Sequence, residues 1–65
     1  MHIETFKGHE LVVDAWVDQR NIWSWTYVID GELTGASPSS SLLPDGETAL
    51  RNAIAAGKAR VAERG

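Results

Sequence analysis

Two segments in which β-branched and aromatic residues alternate with polar ones constrain the fold most. Residues 11–18 read Leu-Val-Val-Asp-Ala-Trp-Val-Asp, and residues 22–29 read Ile-Trp-Ser-Trp-Thr-Tyr-Val-Ile. Both have the composition and the period-2 pattern of strands, and only the polar connector Gln19-Arg20-Asn21 separates them. The pair therefore predicts a β-hairpin.

The distribution of apolar residues selects the register of this hairpin. A three-residue loop pairs Asp18 with Ile22, and Asn21 suits its last position because asparagine tolerates a positive φ. A two-residue loop would invert one strand and place Asp14 and Asp18 among the tryptophans. We therefore predict the three-residue loop, which collects on one face Leu11, Val13, Ala15, Val17, Trp23, Trp25, Tyr27 and Ile29.

The flanking segments are less regular. Residues 2–6 precede a plausible Lys7-Gly8 turn and are predicted to form a short edge strand with Ile3 facing inward. Asp30-Gly31 is a hairpin-turn pair, and the residues after it could add a short fourth strand. Residues 32–45 are rich in Gly, Ser and Pro, so we predict a flexible loop there, either mobile or functional.

One helix is predicted over residues 46–64, with Asp45 as its N-cap and Glu47 favourably placed near its N-terminus. Its thin apolar stripe is predicted to pack across the aromatic face of the sheet, with Gly57 against an aromatic ring. The stripe consists of Leu50, Ala53, Ile54, Gly57 and Val61. The predicted fold is a single α+β domain over residues 1–65, a two-layer arrangement of a three-stranded antiparallel sheet, with room for a fourth strand, and one C-terminal helix.

Chain length and charge limit the classes of function. A chain of 65 residues has a small core, and without cysteine it has no disulfide to reinforce it, so self-association is the expected support. Residues 1–50 carry two basic and eight acidic side chains, whereas residues 51–65 carry four basic and one acidic. The N-terminal residues lack the pattern of a secretory signal, and no apolar run reaches membrane-spanning length, so a cytoplasmic protein is expected.

Trp16 is the strongest candidate for a binding residue. The preferred register places its indole on the outer face, between Asp14 and Asp18, where it is either covered by a loop or residues 1–6, or exposed as an anchor for a partner. Val12, Ile22 and Val28 would extend the same patch. The expected partner is a second copy of the chain or another small protein.

Catalytic and ligand-binding motifs are not recognisable. His2 and His9 are the only histidines, and the carboxylates are scattered, so no acid–base pair, metal site, cofactor site or small-molecule substrate is predicted, and the chain is not expected to be an enzyme. Nucleic acid is not an expected partner, since the acidic sheet would repel phosphate. The only cationic residues on the helix for such a contact are Arg51, Lys58, Arg60 and Arg64.

Two short motifs resemble known families. The strand Trp-Ser-Trp-Thr-Tyr-Val-Ile-Asp-Gly at 23–31 and the helix start at 46–53 are similar to a group of very short uncharacterised proteobacterial proteins. This resemblance implies a β-β-β-α layout and no particular activity. The helix start is also similar to that of HicB-type antitoxins, which implies a nucleic-acid-linked regulator as the alternative, although their P-D-L-P-G-C type loop is absent here.

Overall fold

A computed structural model describes residues 1–38 and 42–64, which form a four-stranded antiparallel sheet and one helix. The strands are consecutive neighbours in the sheet, so the sheet is a simple meander. The predicted α+β class is confirmed, and the fourth strand is present. The elements are β1 (His2–Phe6), β2 (His9–Val17), β3 (Trp23–Ile29), β4 (Leu33–Ala36) and α1 (Gly46–Arg64).

The central hairpin has the predicted register. Val17 lies opposite Trp23, and the Asp18 N–H donates to the Ile22 carbonyl at 3.1 Å. Asn21 has a φ of 66°, as the last position of such a loop requires. The Asp18 carboxylate accepts the backbone N–H groups of Arg20 and Ile22 at 2.8 and 3.2 Å, so the loop is held from within.

The prediction that Ile3 faces inward is wrong. Lys7 and Gly8 form a two-residue turn with φ values of 51° and 80°, which pairs Phe6 with His9. This register places Ile3 opposite Val12 on the outer face, where 58% of Ile3 is exposed, and turns Phe6 toward the core. The tight turn and the larger apolar area of Phe6 decide the parity of β1.

The core lies between the sheet and α1. The helix contributes mainly small side chains there, so it approaches the aromatic and branched residues of β2 and β3 closely. The buried residues are Leu11, Val13, Trp25, Tyr27, Ile29, Ala49, Ala53 and Val61. Packing of α1 on this face, as predicted, leaves the other face of the sheet without a helix.

The expected contact of Gly57 with an aromatic ring is wrong. A Cβ atom on Gly57 would come within 2.5 Å of Leu11 Cδ1, so this glycine lets α1 approach an aliphatic side chain. Aromatic rings lie instead against two other glycines, Trp23 against Gly46 and Tyr27 against Gly35. The helix packs across both β2 and β3, and Gly57 lies over Leu11 of β2.

Part of the segment at 32–45, predicted to be a flexible loop, is hydrogen-bonded along β3. Its first part forms β4, and Ser37 then exchanges hydrogen bonds with Trp25: the Ser37 N–H donates to the Trp25 carbonyl at 2.9 Å, and the Trp25 N–H donates to Ser37 Oγ at 3.2 Å. Farther on, the Trp23 N–H donates to the Leu43 carbonyl at 3.2 Å. Residues 39–41 of the predicted loop lie outside the described residues.

Asp45 caps α1 as predicted, since its Oδ1 accepts the Thr48 N–H at 2.7 Å. We expect Asp45→Ala to lower the urea midpoint of unfolding, because the Thr48 N–H would lose its acceptor, while Asp45→Asn should retain most of the stability. Circular dichroism during urea titration measures both. Equal midpoints for Asp45→Ala and the wild type would show that the cap contributes nothing.

The carboxyl groups of Glu4, Asp18 and Asp45 each have a pKa below the ordinary value. The pKa of Glu4 is lowered mainly by its hydrogen bond with His2, and Lys58 adds to this effect. The pKa of Asp18 is lowered mainly by the hydrogen bond from the Arg20 side chain. The pKa of Asp45 is lowered mainly by the hydrogen bond from the Thr48 backbone N–H. A lowered pKa in the folded state means that the ionised group binds its partners more strongly than the protonated group does.

This lowering predicts a loss of stability in acid. The contribution of these groups is complete above their ordinary pKa values, 4.5 for Glu and 3.8 for Asp, and is lost as the pH falls through the lower folded-state values. We therefore expect the thermal midpoint to decrease below pH 4.5. Calorimetry across pH measures it, and the decrease should be shallower in Glu4→Gln. A midpoint that rises on acidification would contradict this assignment.

Candidate interaction surface

The outer face of the sheet, defined here as the face opposite α1, carries an apolar row across β1, β2 and β3, which Thr34 of β4 continues. Ile3 lies opposite Val12, Val12 opposite Val28, and Val28 opposite Thr34. Their outward direction follows from strand parity, because the alternate residues of β2 and β3 are buried beneath α1. Among the described residues, α1 is the element that packs on the sheet, and it covers only the opposite face.

Trp16 lies on the outer face near the hairpin loop, opposite Ser24, and 47% of its surface is exposed. Of the residues that the sequence associated with it, Val12 and Val28 belong to the apolar row, and Ile22 lies at the end of the hairpin, facing Asp18. All three are partly buried. The structure therefore brings Trp16, Val12 and Val28 onto one face, with Ile22 at its margin.

Sequence reasoning missed Ile3 as a member of this surface. Ile3 was assigned to the core, but it extends the apolar row to the edge strand, and Met1 beside it is 83% exposed. The signal that could have identified Ile3 is the Lys7-Gly8 pair. A two-residue turn there fixes the register of β1, and hence the parity of every residue in it.

One carboxylate lies between the apolar row and Trp16. Asp14 is opposite Thr26, and its Oδ1 accepts the Ala15 N–H at 2.9 Å and lies 3.7 Å from the Met1 amino group. On the far side of the row, Glu10 is exposed beside the turn that follows β3. The surface therefore has an apolar centre between two acidic positions of β2.

The cationic residues of α1 do not form a patch comparable to this surface. Arg51 is paired with Glu47 at 2.8 Å, and Lys58 is paired with Glu4 at 3.3 Å while its ammonium lies 5.3 Å from the centre of the Phe6 ring. Arg60 is exposed. The side chain of Arg64 lies outside the described part of the structure. Two of the four residues are thus already held by carboxylates.

Each histidine is the first residue of a strand and lies against a carboxylate. His9 Nδ1 lies 2.6 Å from the Asp30 carboxylate, which also accepts the Glu10 N–H at 2.9 Å. His2 Nε2 lies 2.8 Å from Glu4 Oε1. The first pair joins β2 to the turn after β3, and the second lies within β1. Residues 1–38 and 42–64 contain no group of three metal-ligating side chains suited to an ion.

Comparisons with known proteins identify no relative. Among the described residues, no helix is both long enough and apolar enough to cross a membrane. No protein-family model matches the chain, and neither a curated protein nor a solved structure is significantly similar to it.

Proposed function

We propose that this chain is a small non-enzymatic interaction module of the cytoplasm, which binds a protein chain, its own or a partner's, through the outer face of its sheet. One observation carries the proposal. An apolar row of Ile3, Val12 and Val28 crosses three strands beside a half-exposed tryptophan, and no described element packs on it.

The physical argument concerns what this surface gains when it is covered. Single exposed apolar side chains are common on soluble proteins, but a contiguous patch that includes Trp is typical of a binding site. Tryptophan is enriched among the residues that dominate binding energy, because it buries a large area with few torsions to fix. A small domain also gains stability when a partner binds only its folded state.

The carboxylates of the outer face are not placed as an acid–base pair. Asp14 and Glu10 lie on opposite sides of the apolar row rather than together, and Asp14 accepts the Ala15 N–H and lies 3.7 Å from the Met1 amino group.

Trp16→Ala tests the proposal most simply. We expect it to weaken association about 30-fold or more, the range of an interface hot spot, while the free energy of unfolding changes by less than about 1 kcal/mol. Sedimentation across a concentration series measures self-association, and affinity capture followed by a titration with the isolated partner measures binding to another protein.

Val17→Ala is the matched control. Val17 is 43% exposed on the neighbouring position, but it faces the side of the sheet where α1 packs, so its truncation should leave association unchanged. Equal effects of the two substitutions would show that the outer face has no special part. A wild-type chain that stays monomeric at millimolar concentration and captures no partner in a Trp16-dependent way would refute the proposal.

A further inference from the structure

We propose that the occupant of the outer face is a second copy of this chain, packed sheet to sheet about a two-fold axis that runs parallel to the strands, between β2 and β3. This inference rests on the proposed function and goes beyond it by naming the partner and the arrangement. It is argued from the area of the face, from the residues that the axis brings together, and from charge.

The area of the face suits a dimer. Four strands about 4.8 Å apart, each rising about 3.3 Å per residue, give a flat face on the order of 450 Å². Side chains make the accessible area larger than the flat area, so two faces would bury roughly 1,000 Å² together, which reaches the lower limit for a specific interface. The longest dimensions of the domain, 36 and 20 Å, accommodate a face of this size.

The proposed axis makes the face complementary to itself. It places β2 of one copy over β3 of the other, and β1 over β4, at the same level along the strands. Val12 lies opposite Val28 in the sheet, and Trp16 lies opposite Ser24. Because the axis exchanges β2 and β3 without moving residues along the strands, each residue of one copy faces, in the second copy, the residue that lies opposite it in its own sheet. The indole of Trp16 then lies over the small Ser24, and Val12 lies over Val28.

The same axis gives the Asp14 carboxylate a hydrogen-bonding neighbour in the second copy. Asp14 and Thr26 share a level, so each Asp14 would face a threonine hydroxyl of the second copy, which can donate a hydrogen bond to it. At the edges, Ile3 would face Thr34, which brings a large side chain against a smaller one. Sheets packed in this way keep their strands aligned within about 30°, the common geometry of two stacked sheets.

The alternative axis, perpendicular to the strands along the apolar row, is disfavoured by charge. This axis would place β2 of one copy over β2 of the other, running in the opposite direction. Asp14 of each copy would then face Glu10 of the other, so the contact between carboxylates would occur twice. Like charges facing each other destabilise a pairing and select against it. Under the proposed axis Glu10 would lie over Asp30 of the second copy at the end of the strands, where the Asp30 carboxylate is already engaged by the His9 ring and the Glu10 N–H of its own chain, so the like-charge contact is weaker there.

Cross-linking between opposite edges tests the arrangement. The chain has no cysteine, so Ile3→Cys and Thr34→Cys each introduce a single thiol at an exposed position. Each variant, and an equimolar mixture of the two, is treated with a short bis-maleimide whose span is about 10 Å, the separation of packed sheets. In the proposed dimer, residue 3 of one copy faces residue 34 of the other, whereas identical positions lie on opposite edges.

The expected result is at least tenfold more covalent dimer in the mixture than in either variant alone, with circular dichroism showing that both are folded. Dimer in Ile3→Cys alone at the level of the mixture would overturn the proposed axis. Association without any cross-link would overturn the arrangement and leave the proposed function standing. A monomeric wild type would overturn the second copy as the occupant, and Trp16-dependent capture of another protein would then still support the interaction module.

Discussion

Leu11→Ala should leave most of the chain unfolded at room temperature. Leu11 is completely buried on β2, where it lies opposite Ile29 of β3 and packs directly against Gly57 of α1. Truncating a leucine in such a position costs about 2–5 kcal/mol, because the surrounding structure fills the cavity only in part. A core of this size supplies about 3–5 kcal/mol in total, so the loss is comparable with the whole stability.

Urea titration monitored by circular dichroism measures this effect, and Val12→Ala provides the control. Val12 is the next residue of the same strand and points to the outer face, so its truncation should cost much less in dilute solution. A Leu11→Ala chain that unfolds cooperatively at the wild-type midpoint would show that the packing of α1 over β2 is wrong.

Gly35→Ala should also destabilise the domain strongly, although alanine is the better strand former. Gly35 lies opposite Tyr27, and a Cβ atom there would overlap the buried tyrosine ring at Cζ, Cε2 and the hydroxyl oxygen. The ring fills the space that a side chain on this edge strand would occupy, an arrangement known to compensate for glycine in sheets. Displacing a packed ring costs about 1–3 kcal/mol.

Two further substitutions distinguish this collision from a general sensitivity of β4. Thr34→Ala changes the adjacent, outward-facing residue and should have little effect on the urea midpoint of the dilute protein. In a Tyr27→Leu background the ring is absent, so adding Gly35→Ala should cost less than it does in the wild type. Additive effects of Tyr27→Leu and Gly35→Ala would contradict direct contact between these residues.

The central hairpin and the helix could be predicted from the sequence because local signals and burial agree there. Asn21 accepts the conformation that a three-residue loop needs, and the same register keeps Asp14 and Asp18 on the face opposite Trp23 and Trp25. Asp45 marks the start of α1 through a side chain suited to capping. In these segments the turn chemistry and the apolar pattern select one arrangement.

The edges of the sheet were harder to predict, because their signals conflict or are non-local. Ile3 and Phe6 have opposite parity, so the pattern of β1 alone could not decide which of them is buried. The position of α1 along β2 determines that Gly57 contacts Leu11, and no local feature of the helix encodes that position. The register of the central hairpin determines the location of Trp16, whereas the extent of the apolar row depends on the register of β1, which places Ile3 beside Val12.

Fluorine NMR of the chain labelled with 5-fluorotryptophan tests most directly whether the outer face is open in the monomer and becomes covered on association. The label leaves the sequence unchanged, and Trp16→Phe assigns its resonance. In dilute protein, the Trp16 signal should shift between H₂O and D₂O while the Trp25 signal, from a residue only 8% exposed, should not. The Trp16 shift should then diminish as the protein concentration rises. Binding through this face would be contradicted if the Trp16 signal were insensitive to solvent in the dilute protein. It would also be contradicted if the Trp16 shift stayed the same at every protein concentration and on addition of a partner.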